Sequence, residues 1–170
     1  MSYDVAIILG SRRDLEIVER SKMLTVLNDV GVSWRMSIVS AHRNLPELIE
    51  LTKRCVEEGT SVFIGIAGMA AALPGTISSI LGGSVPVLGV GLSSKILDGL
   101  DALLSEARMP PGRPVAFCGL DEAGLYNAAI LACSILALKN ERVRKQLRDV
   151  LEKNNKPCEI DVQTSAVEMP

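Results

Sequence analysis

Apolar runs and helical stretches alternate along this chain. Val5-Ala6-Ile7-Ile8-Leu9 is apolar throughout and stops at Gly10, which predicts a strand buried on both faces. Over 14–30, Ile17, Leu24 and Leu27 recur at helical spacing, with Gly31 as the stop. A second strand is expected over 34–39. Asn44-Leu45-Pro46-Glu47 opens the next helix, which ends near Gly59. Asn44 can cap it, Glu47 can reach back, and Pro46 sits where a missing N–H costs nothing. Strand three covers 62–66, and a small-residue helix over 70–81 is interrupted or started late by Pro74. Strand four is expected over 85–90, a short helix over 97–107 and strand five over 114–119. The helix over 123–138 is apolar nearly all round, which predicts that a neighbouring subunit covers its second side unless the polar helix over 140–153, with Val143, Leu147 and Leu151 on one face, folds back onto it. The tail, 154–170, has no periodicity.

Five alternations of strand and helix predict an α/β class with a five-stranded parallel sheet. The size suits a flavodoxin-like three-layer sandwich, since a barrel usually needs about 250 residues. One catalytic domain over 1–153 is expected, with 154–170 as a tail. Ligands of such sheets bind beyond the carboxyl ends of the strands. Three segments fall there: 10–14, 40–43 and 67–75.

Composition narrows the choice of partner. The 170 residues carry 18 basic and 20 acidic side chains, a net charge of −2, which argues against nucleic acid. Aromatics are 3%, too few to stack a flavin or single-stranded RNA. Cys55, Cys118, Cys133 and Cys158 are widely spaced and there is one histidine, so no metal site of the Cys/His type is expected. Free thiols suit a reducing, cytoplasmic setting. No signal peptide is visible. The stretch 60–94 has no charged residue, but seven glycines with Pro74 and Pro86 divide it, so buried strand and helix are expected rather than a membrane span.

Gly10-Ser11-x-x-Asp14 follows a strand and opens a helix. Gly10 lets backbone N–H groups approach a ligand, Ser11 offers a hydroxyl, and Asp14 can accept from ribose hydroxyls. The same residues also make an ordinary helix cap. His42 lies between Ser40 and Arg43 just past a strand. Imidazole can give and take a proton near neutral pH, and a guanidinium can clamp a phosphate or carboxylate. A packed or solvent-facing histidine fits the same position. The Ala/Gly-rich loop 67–75 serves either backbone approach to a flat ligand or close helix–strand packing.

Together these segments resemble one family. The stretches are Val5-Ala6-Ile7-Ile8-Leu9-Gly10-Ser11 with Asp14, Val39-Ser40-Ala41-His42-Arg43 and Leu73-Pro74-Gly75. Pro86-Val87-Leu88-Gly89-Val90, Gly99-Leu100-Asp101-Ala102-Leu103-Leu104-Ser105, Met109-Pro110-Pro111-Gly112 and Asn127-Ala128-Ala129 with Ile135-Leu136-Ala137 follow in order. The chain resembles the 5-(carboxyamino)imidazole ribonucleotide mutase family of purine biosynthesis, also called the phosphoribosylaminoimidazole carboxylase catalytic subunit. The resemblance implies a homo-octamer with a ribonucleotide substrate and no cofactor. It implies His42 as catalytic acid/base and Ser11, Asp14 and Arg43 as nucleotide-binding residues, with Ser40, Gly68 and Leu73 also lining the substrate site. The implied reaction moves a carboxylate from the exocyclic amine to ring carbon 4, giving 4-carboxy-5-aminoimidazole ribonucleotide. Arg43, where the branch using free carbon dioxide tends to carry Lys, resembles the mutase branch. Three positions depart from the family's pattern: Arg13 stands for a usual Ser, Ala72 for a usual His, and Gly91 for a usual Pro. A carboxylase or decarboxylase on a related nucleotide, or a non-catalytic nucleotide-binding relative, are the other readings.

Overall fold

A computed structural model describes residues 2–154. Five parallel strands, β1 (Val5–Leu9), β2 (Trp34–Ile38), β3 (Val62–Gly68), β4 (Val87–Leu92) and β5 (Ala116–Leu120), form one sheet in the order β2-β1-β3-β4-β5. This is the flavodoxin-like order. Seven helices flank it: α1 (Leu15–Arg20), α2 (Met23–Val30), α3 (Leu45–Glu57), α4 (Ala72–Ile80), α5 (Leu100–Ala107), α6 (Asp121–Ala137) and α7 (Glu141–Asn154).

Alternation along the strands divides the core into two layers. Ile7 and Leu9 of β1, with Ile64 and Ile66 of β3, pack beneath α2, α6 and α7. Ala6, Ile8 and Phe63 face the other way, against Leu48 of α3, Ile77 of α4 and Ala102 of α5. Phe63, Ile7 and Ile8 are fully buried, each contributing roughly 1.5–3 kcal/mol of hydrophobic stabilisation. The central strands can therefore be apolar throughout, as β1 is.

Several boundaries differ from the sequence expectation, each for a local reason. The helix expected over 14–30 is three pieces: a 3-10 turn at Arg12–Asp14, then α1, then α2. Ser21 breaks it with an extended backbone; its hydroxyl donates to the Val18 carbonyl at 2.7 Å and accepts from the Met23 N–H at 3.3 Å. A side chain that satisfies local backbone groups competes with the helix ladder. The capping box expected at Asn44 and Glu47 is not formed, because Asn44 makes no side-chain cap bond; its own N–H donates to the Ser40 carbonyl at 2.9 Å. α4 starts late, at Ala72, with Pro74 in its first turn, where proline fits. β4 begins and ends two residues later than expected, and includes Gly91.

The apolar surround of α6 also has an explanation within the chain. Its Leu125, Ala128, Ala129, Ala132 and Cys133 are buried between the sheet, α2 and α7, and Val143 and Leu147 of α7 fold back against that cluster. The two-sided burial expected of α6 is thus met largely by neighbouring helices. No helix of the described residues is long and apolar enough to cross a membrane.

Candidate active site

From β1 the chain crosses to β2 on one side and reaches β3 on the other, so the strand order reverses between β1 and β3. That reversal leaves a crevice beyond the carboxyl ends. The strand ends are tied there: Gly10 N–H donates to the Ile66 carbonyl at 3.0 Å and Val39 N–H to the Leu9 carbonyl at 2.9 Å. The three following loops therefore leave the sheet side by side and line an open cleft of about 670 Å³. That volume suits a small-molecule ligand.

Each loop supplies different chemistry. After β1, the Ser11 hydroxyl accepts the Arg13 N–H at 3.3 Å and so caps the 3-10 turn that presents Asp14. A Cβ on Gly10 would come to 3.7 Å from Asp14 Oδ2, so this carboxylate lies close over the strand end. Burial pushes the Asp14 carboxyl above its usual range, opposed by a hydrogen bond from the Ser11 backbone and by the Arg43 guanidinium. After β2, the bond between Asn44 N–H and the Ser40 carbonyl closes a tight turn that projects His42 and Arg43. Ser40 is buried, whereas His42 and Arg43 are exposed. Arg43 Nη2 donates to the Gly10 carbonyl at 3.1 Å, bridging the first two loops.

The third loop resolves the two readings of its small residues. A Cβ on Gly65 would stand 3.0 Å from Pro74 Cγ, and one on Gly68 would stand 2.9 Å from the Leu92 carbonyl. Close packing of α4 on β3, and of β3 on β4, requires both glycines. Residues 67–73 also line the cleft. Met69 and Ala71 hold positive φ values of 58° and 25°, which non-glycine residues rarely adopt. Such strain is tolerated where surrounding contacts over-determine the backbone, and it gathers at ligand sites.

Ser11, Asp14, Ser40, His42, Arg43, Gly68 and Leu73, separated by up to sixty-two positions in sequence, all line this one cleft. Arg13 lines it too. The sequence marked Arg13 only as a departure from a pattern, since one arginine in Arg12-Arg13 cannot be told from the other until the turn direction is known.

Over residues 4–157 the sequence matches the AIR carboxylase family. The chain belongs to that family. It is 47% identical over 152 residues to the N5-carboxyaminoimidazole ribonucleotide mutase of Methanocaldococcus jannaschii, covering 89% of this chain and 90% of that protein. The Brucella melitensis enzyme of the same name is 42% identical over 86% of this chain and 88% of its own length. Among solved structures, Treponema denticola PurE superposes with a TM-score of 0.78 at 26% identity, covering 88% of this chain and 90% of that one.

Proposed function

We infer that the protein is an N5-carboxyaminoimidazole ribonucleotide mutase acting in purine biosynthesis. The observation that carries this reading is the meeting of His42, Arg43 and Asp14 in one cleft of a chain belonging to this family. The carbamate on the exocyclic nitrogen breaks its N–C bond, releasing carbon dioxide and leaving the nitrogen to take a proton. Ring carbon 4, electron-rich through the amine, bonds to that carbon dioxide and then loses its own proton. One proton is taken up and one released, so a single group able to do both balances the reaction. His42 is the titratable imidazole on the cleft, and we assign it that role. Retention of carbon dioxide in the cleft keeps the second step effectively unimolecular. Arg43 holds an anionic group of the ribonucleotide, and Asp14 accepts from ribose hydroxyls. Ser11, Ser40, Gly68 and Leu73 complete the substrate wall.

The catalytic unit comprises 1–153, with 154–170 as its tail, and works in the cytoplasm without a cofactor. An octamer is the proposed assembly. α6 is covered within its own chain, and the surface that supports assembly is a separate one: Ile96, Leu97, Leu100 and Leu104, on and before α5, are 74%, 61%, 50% and 47% exposed. Contiguous exposed apolar side chains of this kind mark contact surfaces.

Incubation with N5-carboxyaminoimidazole ribonucleotide tests the activity. The C4-carboxylated product is expected to form at the same rate with and without added bicarbonate. A rate that requires bicarbonate would assign direct carboxylation instead, and nucleotide binding without turnover would leave a non-catalytic relative.

A further inference from the structure

Four ionisable side chains line the cleft: Arg13, Asp14, His42 and Arg43. Arg43 is tied by its guanidinium to the Gly10 carbonyl, and its charge reaches Asp14 without a direct ion pair among the described residues. Arg13 differs. It is exposed, and its guanidinium makes no hydrogen bond or ion pair with any described residue. Its backbone is fixed, because the Ser11 hydroxyl holds the Arg13 N–H. A fixed backbone with an unengaged cationic side chain at the wall of a cleft leaves one full positive charge available. The whole chain is acidic, with a net charge of −2, so this local cation is not part of a generally basic surface.

We propose that Arg13 is the residue that selects a phosphorylated ligand, closing on the phosphate dianion while Arg43 orients the substrate from the opposite loop. This inference rests on the ribonucleotide reading of the cleft and deepens it: Arg13 adds a charge that favours nucleotide over nucleoside. A guanidinium gives a phosphate two parallel N–H donors, and a hydrogen bond between charged partners is about twice as strong as a neutral one. Lysine at this position would keep the charge but lose the fork.

The test uses Arg13→Gln and Arg13→Lys in the intact chain. Three ligands are titrated by calorimetry: inorganic phosphate, the aminoimidazole ribonucleotide and the corresponding nucleoside. Steady-state kinetics with the carbamate substrate are measured beside them. Arg13→Gln is expected to weaken both phosphate-bearing ligands about tenfold, with nucleoside affinity unchanged, since one charged hydrogen-bonding group is removed. Turnover is expected to lose efficiency through KM rather than kcat, and Arg13→Lys to recover part of the loss. Raising salt is expected to weaken phosphate binding more in the wild type than in Arg13→Gln, because the removed contact is exposed and screened. Equal loss for nucleoside and nucleotide, or unchanged affinity for all three, would overturn the proposal. The arms separate it from the functional reading. A wild-type protein that binds phosphate through Arg13 but does not turn over the carbamate defeats the mutase reading alone. Turnover with an Arg13→Gln KM equal to wild type defeats only the role of Arg13. An exposed side chain without a described partner leaves folding unaffected, and matching thermal unfolding of the variants verifies this.

Discussion

Each half of the sheet removes a carboxylate from water, and the two are treated differently. Beyond β1 and β3, Asp14 is half-buried at the cleft, where the Ser11 backbone and the Arg43 guanidinium offset the burial that raises its pKa. Beside β4 and β5, Glu106 on α5 is 1% exposed, and neither carboxylate oxygen has a hydrogen-bond partner among the described residues. It packs where Gly89 leaves room, since a Cβ there would strike Glu106 Oε2. Burial alone pushes its carboxyl up to about 8, so near neutrality Glu106 is mostly protonated. Nearby Cys118 is pushed up to about 11, by burial first and by Glu106 second. Desolvation is common to both carboxylates. A cation and an opening to solvent make one of them part of a site, and their lack makes the other a polar group within the core. Activity should therefore follow changes around the cleft, and pH-dependent stability should follow changes around Glu106.

The sharpest break of this division is His42→Asn. Turnover is expected to fall roughly 10²–10⁴-fold, the usual loss on removing a general acid–base group. Chemical unfolding should be unchanged, because His42 is exposed and has no hydrogen bond with any described residue. Near-normal turnover would move the chemistry elsewhere.

Next in size is the pH dependence set by Glu106. Its carboxyl ionises near 4.5 in the unfolded chain and near 8 when folded. Its favourable contribution is fully present below pH 4.5 and is lost as pH rises through about 8. At about 1.4 kcal/mol per pH unit, the loss amounts to at most about 5 kcal/mol. Urea unfolding of wild type and Glu106→Gln at pH 5 and pH 8 reads it. The variant is expected to lose less stability between these pH values, with turnover unaffected. Equal losses in both proteins would place the titrating group elsewhere.

A smaller effect is expected from Gly89→Ala, where the added methyl would meet Glu106 and Val115. Overpacking of this kind costs typically about 1–3 kcal/mol. The cost should fall in Gly89→Ala/Glu106→Ala, where the obstructing carboxylate is gone, and additive losses would show that the two do not touch. On the cleft side, Arg43→Ala is expected to weaken ribonucleotide binding about tenfold to hundredfold. Asp14→Asn should weaken ribonucleotide binding by a smaller factor while leaving inorganic phosphate unaffected or bound more tightly. Weaker phosphate binding in Asp14→Asn would contradict its assignment to the ribose.

The same contrast explains what the sequence could disclose. Runs such as Val5-Ala6-Ile7-Ile8-Leu9 announce buried strands because every position is apolar, and the strand order then locates the loops that hold His42 and Arg43. Ser21 was harder to read: a serine inside a helical pattern breaks the helix only when its hydroxyl finds backbone partners, as it does here. Asn44 matched a cap by residue type, yet the turn from Ser40 took its N–H and its side chain made no cap bond. Glu106 sits in α5 between a half-buried Ser105 and an exposed Ala107, and nothing in Ser105-Glu106-Ala107 distinguishes a buried acid from a solvated one. Only the approach of α5 to the glycine at position 89 reveals it. α6 was legible as doubly covered, but the covering surface is α7, whose amphipathic face over Val143 and Leu147 was the available clue.

Isotope transfer in a single turnover tests the central claim, that one cleft with one proton-carrying group performs the whole rearrangement. The substrate carries carbon-13 in its carbamate, and unlabelled bicarbonate is present in excess. With the wild type, the label is expected in the carboxylate on ring carbon 4, undiluted by the bulk pool; His42→Asn is expected to yield no labelled product on the same timescale. Dilution of the label to the level of the added bicarbonate, or equal label transfer by His42→Asn, would contradict the account.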